Sequence, residues 1–206
     1  IRLQLSSGES CFIFAANKPV TDIPVWNYFA KDTCIIHNGT WQLDFVSGGP
    51  VIPQKRELQQ PELWTNINDT ATGTFSGIAK YSTRFKINSL PADDYLLVLG
   101  RVRESARIFV NGSEAGIIWG PPYHCKIGHL LKTGENVITI EVANLMANRI
   151  RDMDRQRLHW KNFYDLNFVG IDYKPFDASA WSIMPSGIAG PVKIIPLKKE
   201  LPTWFE

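Results

Sequence analysis

The groups in this 206-residue chain that could do chemistry are 20 acidic side chains, four histidines and seven tryptophans. Cleaving a glycosidic bond takes two carboxylates a fixed distance apart, one of them with a raised pKa. Asp93, Asp94, Asp152, Asp154, Asp165, Asp172 and Asp177 are available, but no spacing singles out a pair. His37, His124, His129 and His159 are scattered, and no HExxH, phosphate loop or nucleophile elbow occurs. We therefore expect no catalytic residues in the chain itself. Carbohydrate binding makes a different demand: an exposed aromatic platform for the apolar face of a sugar ring, beside Asn, Asp, Arg or Glu for its hydroxyls. Two connections supply these types. Around them we place a candidate carbohydrate site made of Trp119, Tyr123, Asn144, Asn148, Arg149, Asp152, Trp160 and Tyr164. The plainer alternative is that Trp119 and Tyr123 pack on the scaffold, while Asn144, Asn148 and Arg149 brace a loop or dock a neighbouring domain.

Bulk composition narrows the partners. The net charge is +2, from 22 basic and 20 acidic residues. No extended footprint for nucleic acid or an anionic membrane is present, and neither is expected as a partner. No run approaches the roughly 18 apolar residues of a membrane-spanning helix. Cys11, Cys34 and Cys125 are too few for a disulfide scaffold and match no zinc spacing. Free thiols are the first expectation, with a Cys11–Cys34 bridge as the alternative. No cofactor is expected; a structural Ca2+ is a further candidate, though no acidic loop is dense enough to place one. Three triplets, at Asn38, Asn68 and Asn111, fit the glycosylation pattern but carry little weight. The chain begins at Ile1, not Met, so we expect a mature product or a piece of something longer.

The elements that must hold these residues are strands. Ala79, Tyr81, Thr83, Phe85 and Ile87 alternate with Lys80, Ser82, Arg84 and Lys86, as in a half-buried antiparallel strand. In Tyr95–Val102 both faces are apolar, which predicts a strand covered on two sides. Asn111-Gly112 between ARIFV and SEAGIIW is the residue pair of a type I′ hairpin. Asn136–Val142 alternates again. We also expect strands at Trp41–Phe45 and Trp181–Met184, a last strand from Val192, and a hairpin from residues 1–5 and 10–15 around Ser6–Glu9. Residues 144–168 break the period of two and read equally as a helical turn or two or as a long loop. The fold class is all-β: an antiparallel β-sandwich, with a jelly roll as first choice. A boundary near residue 38 divides terminal strands of a preceding β-domain (1–38) from the sandwich (39–206).

The order FSGIAKYSTRF, LGRVRESARIFVNGSEAGIIWGPPYHCKI, GENVITIEVANLMANRI and SGIAGPVKI resembles the galactose-binding-like jelly-roll domain of family 2 glycoside hydrolases. LGRVR, WGPPY, ANRIRD and the opening IRLQLSSGESCFIF are closer to the C-terminal part of family 106 α-L-rhamnosidases. The resemblance implies a non-catalytic accessory domain that supports the catalytic (β/α)8 domain of the same parent chain and can hold carbohydrate. Such a parent is expected to be secreted or periplasmic. Nothing here alternates strands with helices as a barrel does, so that family's acid and base have no positions to occupy. A free-standing carbohydrate-binding module, and a structural or protein-interaction sandwich without sugar affinity, are the alternative readings.

Overall fold

The computed structural model describes residues 3–18, 20–22, 26–33, 35–36, 39–162, 171 and 173–200. Two antiparallel sheets face each other across one apolar core. The first runs β1 (Tyr28–Lys31), β11 (Gly187–Glu200), β6 (Asp94–Arg103), β9 (His124–Lys126), with β2 (Ile35–Ile36) also paired to β11. The second runs β4 (Arg56–Leu58), β3 (Trp41–Gly49), β5 (Ser76–Ile87), β10 (Gly134–Ala143), β7 (Ser105–Val110), β8 (Ser113–Ile118). From β5 onward the chain crosses between sheets at most links, and this clamps the layers together. The expected boundary near residue 38 falls between β2 and β3, and both β1 and β2 lengthen the first sheet through β11.

Alternation places the core. On β5, Ala79, Tyr81 and Thr83 are buried, and on β10 Ile138, Ile140 and Val142 stand opposite Thr83, Tyr81 and Ala79. Asn111 (φ 52°) and Gly112 (φ 85°) form the β7–β8 hairpin in the left-handed conformation its sequence signalled. The Asn111 amide also reaches the Leu130 carbonyl and Asn136 Oδ1 at 2.8 and 2.9 Å, fastening the hairpin to the next turn. Trp64, Phe75 and Phe45 meet edge-to-face at one end of the core, with Tyr81 stacked on Trp64. There the Tyr81 hydroxyl donates to the Glu62 carbonyl at 2.7 Å, and burial pushes its phenol well above the ordinary value. On β6, Tyr95, Leu97 and Leu99 face the core, while Leu96, only 5% exposed, faces the other way. Its cover is the N-terminal segment.

That segment corrects one expectation. Residues 3–16 contain no strand. The turn at Ser6–Glu9 exists, with the Glu9 N–H on the Ser6 carbonyl at 2.9 Å, but its flanks do not pair. Instead the Gln4 amide imitates a strand neighbour: it donates to the Phe29 carbonyl and accepts from the Phe29 N–H, at 2.6 and 2.8 Å. One side chain thus satisfies the open edge of β1. Residues 181–184 likewise form no strand, for a reason that lies in the helix described next.

Candidate functional site

Besides the short α1 (Thr70–Thr74) before β5, the chain forms α2 (Ala147–Arg155) after β10, a nine-residue helix where the sequence left helix and loop equally open. Its one buried side chain is Asn148, so apolar packing does not hold it down. Polar side chains at three-residue intervals do, because such positions share one face of a helix. The Asn148 amide donates to the Met184 carbonyl and accepts from the Met184 N–H, at 2.8 and 2.7 Å. Arg151 Nε donates to the Trp181 carbonyl at 2.6 Å. Asp154 Oδ2 accepts the Ala178 N–H at 2.7 Å. Residues 148, 151 and 154 thus hold 184, 181 and 178, an antiparallel strap fastened to the helix. The strap is coiled, with the Trp181 N–H on the Ala178 carbonyl at 3.0 Å, which shortens its rise to fit a helical one. Hydrogen bonds that a strand at Trp181–Met184 would need are taken by α2.

Asn144 and Asn148 meet at Ser186. Asn144 Nδ2 donates to the Phe75 carbonyl and to Ser186 Oγ, both at 3.0 Å, while its Oδ1 accepts the Gly77 N–H at 2.9 Å. Asn148 is 2% exposed, and its Nδ2 also approaches Ser186 Oγ at 3.4 Å. Both amides are spent inside the chain. Arg149 lies over Gly49, where a methyl group would stand 3.0 Å from a guanidinium nitrogen, and its Nε is buried without a hydrogen-bond partner among the described residues. Asp152 accepts from Gln156 Nε2 at 2.6 Å. Tyr164 lies outside the described residues.

Beyond the C-terminal end of α2 opens a cleft of about 700 Å³. Trp160 is its aromatic wall, with the indole N–H on Asp154 Oδ1 at 2.7 Å and the ring edge-to-face with Phe176. Lys161 pairs with Asp154 at 3.3 Å and donates to the Phe176 carbonyl at 2.6 Å. Arg155, Arg157 and Leu158 form an exposed rim, and neither arginine makes an ion pair with the described residues. Sequence reasoning found Trp160 here but missed Arg155, Arg157 and Lys161. The MDRQR run held the signal, since a helix ending at Arg155 places its last cations at its C-terminus. Trp119, 81% exposed just beyond β8, does not line this cleft. Tyr123 is half-buried against the core, with its carbonyl accepting the Leu99 N–H at 2.8 Å.

The chemistry of these carboxylates is that of fixed anions. Burial acts to raise the Asp154 pKa, but hydrogen bonds from the Ala178 N–H, Trp160 and Lys161 outweigh it and hold the carboxyl below its usual range. The Ser179 N–H at 2.8 Å does the same for Asp177 on the same cleft. A general acid needs the opposite shift. Asp93 and Asp94 cap backbone N–H groups of Lys199 and of Tyr95 and Gly128. Asp165 and Asp172, like His37, lie outside the described residues. Among the described residues no group of three His, Cys, Asp or Glu gathers to hold a metal ion, and no helix is long and apolar enough to cross a membrane. Cys11 and Cys125 are free; Cys34 lies outside the described residues.

The fold and the cleft define an all-β sandwich whose open site offers, among the described residues, an aromatic wall, cations and two carboxylates held below their usual range. No family model matches the sequence. A putative beta-glucuronidase of Formosa agariphila is 29% identical over 175 residues, covering 76% of this chain and 15% of that protein. The solved rhamnosidase from Novosphingobium sp. PP1Y is 30% identical with a TM-score of 0.62, over 88% of this chain and 16% of that one. A Bifidobacterium dentium beta-glucuronidase complexed with coumarin-3-O-glucuronide, 15% identical with a TM-score of 0.55, shares the fold over 80% of this chain and 30% of its own. The relatives are glycoside hydrolases, and the chain spans about one-sixth of the length of the first two.

Proposed function

We propose that this chain is a non-catalytic β-sandwich domain of a rhamnosidase-like glycoside hydrolase, of the family 106 type, which supports a catalytic (β/α)8 domain and holds carbohydrate at the α2 cleft. The observation that carries it is the correspondence to about one-sixth of two glycoside hydrolases, a rhamnosidase and a putative beta-glucuronidase, joined to two cleft carboxylates held below their usual range. Trp160 supplies the stacking face and Arg155 and Arg157 the hydroxyl donors. Asn144 and Asn148 serve as braces in this reading, and Trp119 and Asp152 stand outside the cleft lining.

A structural role has its own support. Val46, Ile78, Leu145 and Met146 are 54, 38, 50 and 46% exposed. They adjoin one another where Ser47 pairs with Ile78 and where the Asn144 N–H meets the Gly77 carbonyl. We assign this patch to contact with the catalytic domain. The test is a titration of the chain with rhamnose- and glucuronate-containing oligosaccharides, followed by tryptophan fluorescence, with aryl glycosides assayed in parallel. Saturation that Trp160→Ala weakens about tenfold, without turnover, supports the proposal. Turnover abolished by Asp154→Asn overturns the non-catalytic part, and absence of saturation leaves the scaffold role alone.

A further inference from the structure

A second pocket, of about 840 Å³, lies where the N-terminal segment crosses the first sheet, and no candidate site residue from the sequence lines it. Its floor is apolar: Leu96 and Leu197 are buried there, 5 and 3% exposed. Trp26, 48% exposed, stands on its wall. Lys31, Lys126, His124 and Glu9 supply the polar groups. The two lysines carry the pocket's positive charge, and neither forms an ion pair with the described residues. Lys126 rests its ammonium over the Phe29 ring, 3.9 Å from the centroid, a contact that orients a cation without neutralising it. The acid in the pocket is already occupied: Glu9 Oε2 accepts the Ser6 N–H at 2.7 Å, and Oε1 faces His124 Nε2 at 3.7 Å. His124 also meets Ser6 Oγ at 3.4 Å.

We infer that this pocket binds a carboxylate-bearing pyranose, a uronic acid residue, with Trp26 and the apolar floor against the ring and Lys31 and Lys126 on the carboxylate. Two ammonium groups without an ion pair among the described residues, beside an exposed indole, favour that ligand over a neutral sugar, which would leave both charges unused. They also favour it over a simple anion, which would leave Trp26 and the floor uncovered. His124, held mostly neutral by burial and by the nearby Lys31 against the opposing pull of Glu9, offers a hydroxyl contact and not a third charge. The walls are fixed in advance by the Gln4–Phe29 pairing and by the packing of Gly8 on Pro121, so binding orders little new chain.

The inference stands apart from the α2 reading, and one experiment separates the two. The chain is titrated with a glucuronate-terminated disaccharide, with the same disaccharide reduced at the carboxyl, and with acetate, while the Trp26 indole and His124 amide signals are followed by NMR. The acidic sugar is expected to bind about tenfold tighter than the reduced one. That margin should shrink at high salt and vanish in a Lys31→Gln/Lys126→Gln chain whose circular dichroism is unchanged. Trp26→Ala should weaken both sugars, and Trp160→Ala should leave these signals unaffected. Equal affinity for the acidic and reduced sugars overturns the inference. So does reproduction of every shift by acetate, which would mark a simple anion site, or loss of the shifts in Trp160→Ala. If the lysine double variant proves unfolded, Lys31→Gln alone, on an exposed strand-end position, must still lower the preference.

Discussion

Replacing Asn148 by Ala tests whether the amides that look like sugar ligands are fasteners of the fold. The side chain is 2% exposed and makes two hydrogen bonds to the Met184 backbone and a longer one to Ser186 Oγ. Each net hydrogen bond contributes about 1 kcal/mol, and a buried partner left unpaired costs about 1–3 kcal/mol more. Met184 itself is 40% exposed, so water can recover part of the loss at its backbone. The expected cost is about 2–4 kcal/mol, which for a domain of this size is a fall in Tm of about 5–15 °C. Thermal and urea unfolding followed by circular dichroism read it directly. Asp152→Ala, one turn along the helix, loses only a contact to Gln156 and should stay within about 0.5 kcal/mol. A Tm for Asn148→Ala within about 2 °C of the parent, with saccharide binding lost, would refute the fastener role and restore Asn148 as a ligand residue.

Three further outcomes follow from the same geometry. Asp154 keeps its charge below the usual carboxylate range, so its contribution is complete above the unfolded aspartate pKa of about 3.9 and is lost as pH falls through the lower folded value; Asp154→Asn should flatten that part of the stability–pH curve, and an unchanged curve would contradict the Ala178 and Trp160 contacts. Burial pushes the Cys125 thiol up to about 11, so in the folded chain at pH 8 alkylation read by peptide mass spectrometry should spare Cys125; modification at the rate seen in urea would count against its packing on the core. Trp119→Ala removes an indole that is 81% exposed and should change stability by less than about 0.5 kcal/mol in urea unfolding; a loss of several kcal/mol would mean that this tryptophan is part of the scaffold.

The strands were legible because their signals are local. Tyr81 and Ile140 alternate with charged neighbours whichever strand lies beside them, and Asn111-Gly112 fixes a turn by its own backbone preference. The doubly apolar face of β6 was also readable, although not what covers it: the cover is a segment with no regular structure, tied down by the Gln4 amide and by the contacts of Ser6 and Glu9 with His124. The candidate site was harder to read for a physical reason. A sugar ligand and a polar strap call for the same residues, Asn, Arg and Asp beside aromatic rings, and only the three-residue spacing of 148, 151 and 154 against 184, 181 and 178 tells them apart. That spacing has meaning only once residues 147–155 are known to be helical. Lys31 and Lys126 were invisible for another reason: what distinguishes them is their meeting beside Trp26 in space, from strands far apart in the chain.

The claim that this sandwich holds carbohydrate without transforming it is tested most directly by one NMR titration with product analysis of the same sample. The chain is mixed with a rhamnose- and glucuronate-containing oligosaccharide, amide shifts are mapped, and the sugar is then examined by mass spectrometry. The account predicts saturable shifts confined to the Trp160 cleft and the Trp26 pocket, with the oligosaccharide recovered intact. Cleaved product, or saturating concentrations of sugar that move no signal in either place, would contradict it.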